Sequence, residues 1–169
     1  MIVLPDSLPD LNVAIVRRAQ RDIPIIENPP GSNRSPEIDA MCRKWGVPLG
    51  SYWCALWATT VWSDCGADVP PIDPTHNWHP AKCETWRDWA MHEGLFTSVP
   101  TIGCAVLYGQ NGHPPAEHIG VCIVSLAPIR MDAEGNTSLA GFSREGIIAT
   151  IKPIDMSRVI GYVTPRLAK

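Results

Sequence analysis

Tyr52-Trp53-Cys54-Ala55-Leu56-Trp57-Ala58-Thr59-Thr60-Val61-Trp62-Ser63-Asp64-Cys65-Gly66 is the stretch on which the reading of this chain turns. It is almost wholly apolar from Tyr52 to Cys65, and Gly66 ends it. A helix that is apolar on nearly every side belongs inside a core. It is too short to cross a membrane, which takes ~20 consecutive apolar residues. The rest of the chain must therefore cover it.

Upstream, Ser35-Pro36-Glu37 is a helix start: a cap, a proline at the first helical position and an acid in the first turn. Ile38, Met41, Cys42 and Trp45 then recur at helical spacing, and Gly46 closes the segment. Farther back, Leu11–Ile23 forms an amphipathic stripe with Asp10 as the expected N-cap. Between the two, 24–34 is dense in Pro, Gly, Asn and Ser and reads as an ordered surface loop. Downstream of the buried run, the proline-rich 69–74 precedes a helix predicted over 80–92, with Cys83, Trp86, Trp89 and Ala90 inward.

From Thr101 onward the pattern becomes β. Strands are predicted at 104–108, 119–125, 130–134, 147–153 and 159–163, with 109–117 as a loop. Helices first and strands second predicts an α+β fold, its buried helix packed on a small antiparallel sheet.

The chain has 169 residues, a length that suits one domain over 1–169 and buries enough surface to need no metal or disulfide. Lys+Arg of 14 against Asp+Glu of 17 gives a net charge of −3, with no basic cluster, which disfavours nucleic acid and anionic membranes as partners. An apolar content of 45% excludes intrinsic disorder. Met1–Asp6 lacks the basic and apolar regions of a signal peptide. Synthesis in the cytoplasm is expected, and work elsewhere would require export or release by other means. No cofactor is expected, and a monomer is favoured.

The six cysteines read as small buried hydrophobes, with one exception. Cys54 stands at the start of the buried helix, where the dipole and unpaired backbone N–H groups favour a thiolate. Those N–H groups also suit an oxyanion. Cys42 and Cys65 fall late in their helices, and Cys83 is a weaker rival near the start of its own. A cysteine nucleophile needs a base, usually His held by a third polar group. His118 opens the apolar strand His118-Ile119-Gly120-Val121-Cys122-Ile123-Val124, and His113, in the loop before it, is the rival. The third group is open among Asp132, Glu134 and Asn136, which share a strand face if Gly135 does not break the alternation. His76, His79 and Cys83 have the spacing of half a zinc site but no partner pair, so no metal is expected. Trp78, Trp86 and Trp89 suit either a sugar-stacking platform or the core.

Glu27-Asn28-Pro29-Pro30-Gly31-Ser32-Asn33-Arg34, Trp53-Cys54-Ala55, Pro100…Gly103, His118-Ile119-Gly120-Val121 and Glu134-Gly135-Asn136-Thr137 occur in that order. Together they resemble the CHAP family of peptidoglycan-cleaving amidases and endopeptidases, relatives of the NlpC/P60 group among the papain-like cysteine peptidases. The resemblance spans most of the chain, with 1–26 as a lead-in helix and 27–165 as the core. It implies a papain-like fold with Cys54 as nucleophile, His118 as base, and Glu134 or Asn136 as orienter. Trp53, Asn33 and Tyr52 are the expected substrate contacts, with Asn33 or Tyr52 as a possible second oxyanion donor. The family's Gly-Asp pair is Gly103-Cys104 here, a departure. Some relatives bind calcium through an Asp-rich loop, but 24–34 holds only Glu27, so no such site is expected. The implied activity is hydrolysis of an amide in peptidoglycan, as in a phage lysin or a secretion-system effector. The alternatives are a cysteine amidase or peptidase on a small intracellular amide, and a catalytically silent wall-binding or phage structural module.

Overall fold

The computed structural model describes residues 9–125, 129–138 and 146–168. The N-terminal reading of Met1–Asp6 thus lies outside the described residues. Four helices, α1 (Asp10–Arg21), α2 (Pro36–Trp45), α3 (Cys54–Asp64) and α4 (Cys83–His92), precede a sheet of six strands. These are β1 (Phe96–Thr97), β2 (Ala105–Gln110), β3 (His113–Val124), β4 (Met131–Thr137), β5 (Ile148–Pro153) and β6 (Val159–Val163). Their spatial order is β1-β6-β2-β3-β4-β5, and every pairing is antiparallel. The architecture is α+β.

Helix α3 is buried from Cys54 through Trp62 and lies across β3 and β4. Its two internal threonines are satisfied, as buried hydroxyls must be. Thr59 Oγ1 donates to the Pro80 carbonyl at 2.8 Å, and Thr60 Oγ1 accepts from the Trp45 indole at 2.9 Å. The sheet face beneath it carries Ala105, Leu107, Ile119, Val121, Ile123 and Ala133, all fully buried in one core with α1, α2 and α4. The alternate residues Cys104, Val106, Tyr108, Cys122 and Tyr162 form a second cluster on the opposite face. That face also carries the polar residues of β3 and β4 taken up below.

Helix α2 begins and ends as its sequence predicts. Ser35 Oγ accepts from the Ile38 N–H at 3.2 Å, and Gly46 closes the helix at φ 68°. Several boundaries differ, β1 before Thr101 and β4 running to Thr137 among them, and three are of note. Asp10 is not a cap but the first residue of α1, where its charge suits the helix dipole, and the Pro9 carbonyl accepts from Val13 N–H. The expected loop 109–117 is mostly strand. Only Asn111 and Gly112 turn, both left-handed (φ 53° and 73°), so Gln110 pairs with His113 in a two-residue hairpin. Finally, α4 starts at Cys83 rather than Pro80, because 80–82 form a turn in which the Ala81 N–H donates to His79 Nδ1 at 3.2 Å. His79 therefore caps that turn, not the helix.

At the β5 edge, the chain before α2 adds backbone pairing. Glu27 N–H donates to Ile147 O at 2.9 Å, and Ala149 N–H to Ile25 O at 2.8 Å. This anchors the loop that carries Glu27 beside α3. Among the described residues, no helix is long and apolar enough to cross a membrane.

Candidate active site

Cys54 is the first residue of α3, and no side chain caps that helix. The N–H groups of its first turn therefore point outward with the positive end of the dipole. Cys54 is 7% exposed, and it opens onto a cleft of about 250 Å³ with Tyr52, Lys82, Cys83, Glu84 and Glu117. A larger cavity, about 700 Å³, lies between α1 and the C-terminal segment, with no histidine in its lining. The smaller cleft is the one with chemistry.

His118 is fully buried on β3 and interacts electrostatically with the Cys54 thiol. Its Nε2 faces Glu134 Oε2 at 2.9 Å. Antiparallel pairing of β3 with β4, in which Gly120 stands opposite Glu134, delivers the carboxylate to the ring. Glu134 is in turn held by Thr137 Oγ1 at 2.8 Å and Lys152 Nζ at 3.0 Å, and Lys152 also donates to Thr137 at 2.9 Å.

The charges follow from these contacts. The Cys54 thiol lies well below its usual range: the Cys83 hydrogen bond lowers it, burial opposes, and His118 and the Ala55 N–H lower it further. Burial alone would hold the His118 ring neutral, yet Cys54 and Glu134 push it up to about 10. Glu134, despite burial, is drawn down to about 2 by His118 and Lys152. Together these shifts favour the thiolate, the imidazolium and the carboxylate. A thiolate is the reactive form of cysteine, and a protonated imidazole beside it is a ready acid.

Asp132 takes a different part. It is fully buried, and Tyr108 O–H donates to its Oδ2. Burial and the neighbouring Glu134 charge raise its carboxyl well above the usual range, which favours its neutral form. Of the three candidates for the third group, Glu134 is the one bonded to His118.

The remaining expected site residues divide. Tyr52 lines the cleft and is 54% exposed. Trp53 does not line it. Its ring is fully buried, with Nε1 donating to Glu27 Oε1 at 2.9 Å, and the close approach of Gly135 presses on it. Asn33 is also outside the cleft lining, at φ 53° in the preceding loop, where its N–H donates to Glu27 Oε2 at 2.9 Å. Glu27, passed over in the sequence as a lone loop acid, thus pins both the loop and the residue before Cys54. Asn136 is buried at φ 52°, and its side-chain amide has no hydrogen-bond partner among the described residues. The left-handed turn there shifts the strand alternation, so Thr137, not Asn136, joins Glu134.

His113 is exposed at the hairpin, opposite Gln110. His76 is held by Asp73 at 2.7 Å and stacks on Trp78. Among the described residues, no three His, Cys, Asp or Glu side chains are placed to hold a metal ion. Trp86 and Trp89 are core residues, which removes the three-tryptophan platform.

Cys83 is the main correction. Expected as a weaker rival near the start of a helix opening at Pro80, and facing inward, it is instead the first residue of α4, and its sulfur lies 3.6 Å from that of Cys54. Placing the helix start at Pro80 set it three residues back from the helix terminus that it in fact occupies.

The chain matches no protein-family model, no curated protein and no solved structure.

Proposed function

We propose that this protein is a papain-like cysteine amide hydrolase that cleaves an amide bond of peptidoglycan. The observation that carries the chemistry is a Cys54 thiol at an uncapped helix N-terminus that opens onto a cleft, coupled to a His118 held by Glu134. The choice of peptidoglycan rests on the motif resemblance to the CHAP family.

The thiolate of Cys54 attacks the amide carbonyl while the Cys54 backbone N–H, with the α3 dipole behind it, supports the oxyanion. His118 gives its proton to the leaving amine, forming a thioester on Cys54. The neutral ring then takes a proton from water, whose oxygen attacks the thioester and releases the acid. Throughout, Glu134 holds the ring by Nε2 and stabilises its charged form, as an orienting carboxylate does.

The test is digestion of purified peptidoglycan by wild type and Cys54→Ala, with products identified by mass spectrometry. New amine and carboxyl ends are expected with wild type alone. Their absence with wild type overturns the substrate, and equal release by Cys54→Ala overturns the mechanism. One observation favours a second reading: a cleft of about 250 Å³ suits a small acyl-amide as well as a segment of wall peptide. Turnover of small amides with no release from the wall would establish that reading instead.

A further inference from the structure

The cleft contains two thiols, and the hydrolytic chemistry uses only one. Cys54 and Cys83 each open a helix without a side-chain cap, so two positive helix ends meet at one pair of sulfurs. The sulfurs are 3.6 Å apart, and a disulfide requires them to close by only about 1.5 Å. Both line the cleft, where a small solute in solvent reaches them. The chain contains a natural contrast. Cys104 and Cys122 also neighbour each other, but both are fully buried, and Cys104 and burial push the Cys122 thiol up into its protonated form. Thiolate character and access together decide which cysteine oxidises.

We propose that Cys54 and Cys83 are an oxidation site of this protein, joined by hydrogen peroxide into a reversible disulfide that disables the hydrolase. The Cys54 thiolate attacks one peroxide oxygen, the O–O bond breaks, and hydroxide leaves, giving a sulfenic acid on Cys54. The Cys83 sulfur then attacks that sulfur and the S–O bond breaks. The Cys83 proton and the departing hydroxyl leave as water. Two thiols lose two electrons, and one peroxide becomes two waters. A dithiol reductant reverses the bond by two exchange steps and is itself oxidised. The disulfide removes the nucleophile and places Cys83 across the cleft floor. The loss of activity rests on the proposed hydrolase reading, whereas the cross-link does not.

The experiment is a pulse of hydrogen peroxide on the wild-type chain, quenched with N-ethylmaleimide, then non-reducing digestion and mass spectrometry. The expected product is a Cys54–Cys83 linked peptide about 2 Da below the sum of its parts, absent after dithiothreitol. Hydrolysis falls with the linked fraction and returns to its starting value on reduction. In Cys83→Ser and Cys83→Ala, each checked for folding by circular dichroism, Cys54 proceeds to sulfinic acid and reduction restores no activity. The proposal is overturned if peroxide leaves Cys83 alkylatable while Cys54 is over-oxidised in wild type, or if the link joins Cys104 to Cys122. A linked peptide from a chain with no hydrolytic activity would sink the hydrolase reading and keep the oxidation site; hydrolysis without a link would do the reverse.

Discussion

Three donors converge on one oxygen of Glu134: the His118 ring, the Thr137 hydroxyl and the Lys152 ammonium. That carboxylate is the hinge of the site's electrostatics, because together with Cys54 it favours the charged form of a buried imidazole. Under the proposed mechanism, kcat/KM follows a bell. The acid limb, set by Cys54, lies well below the ordinary thiol range, and the alkaline limb, set by His118, lies near pH 10. Glu134→Gln keeps the shape and removes the charge. It should lower kcat/KM by about 10²-fold or more and bring the alkaline limb down toward the ordinary His value. An unmoved limb in a pH–rate profile of the variant would show that Glu134 does not set the His118 charge. The same thiolate should make Cys54 the first of the six cysteines to react with iodoacetamide near neutral pH, as read by peptide mapping over time. Cys42, which burial pushes up, should lag.

At the scale of elements, the site depends on how closely β4 approaches α3. A methyl at Gly135 would meet Trp53 Cζ3 and Trp57 Cβ at 2.9 Å. Both partners are fully buried, so neither can give way. Gly135→Ala should therefore destabilise the protein by about 1–3 kcal/mol, measured by urea unfolding, and reduce activity by shifting the adjacent Glu134. A stability equal to wild type would mean that α3 and β4 are free to separate. Elements also mark where the sequence was legible and where it was not. Helix α2 carried its own start and stop in Ser35, Pro36 and Gly46. The length of β3 was equally written in Asn111-Gly112, a two-residue hairpin signal that the surrounding prolines obscured. The start of α4 was not, because Pro80 is as good an opening residue as the turn it in fact occupies.

For the whole molecule, the buried charges bring a pH dependence whose sign can be worked out group by group. Glu134 titrates at about 2 folded and near 4.5 unfolded, so its contribution is present above pH 4.5 and is lost as pH falls toward 2. His118 titrates at about 10 folded and near 6.5 unfolded, so its contribution is present below pH 6.5 and is lost as pH rises toward 10. Asp132 opposes the Glu134 trend and runs with that of His118. Its carboxyl is raised in the folded state, which costs stability as pH rises above 3.8. Asp132→Asn removes that cost while keeping the shape. Urea unfolding from pH 3 to 9 should show the variant gaining on wild type as pH rises, and a constant difference would mean that Asp132 is ionised when folded. The net charge of −3 sets one further condition on function. It provides no attraction to an anionic wall, so affinity for such a substrate must arise within the cleft.

Local patterns by themselves determined the helices, the order of helices and strands, the depth of α3 and the candidacy of Cys54, His118 and Glu134. Each of these follows from periodicity, caps and dipole position, properties a segment carries along its own length. Only the tertiary structure decided that Glu134 rather than Asp132 or Asn136 meets the imidazole, that Trp53 faces Glu27 and the core, and that Cys83 stands 3.6 Å from Cys54. Those outcomes depend on strand register, on one left-handed residue and on where two helix ends converge. Such distances are set by packing between segments far apart in the chain, and no segment carries them alone.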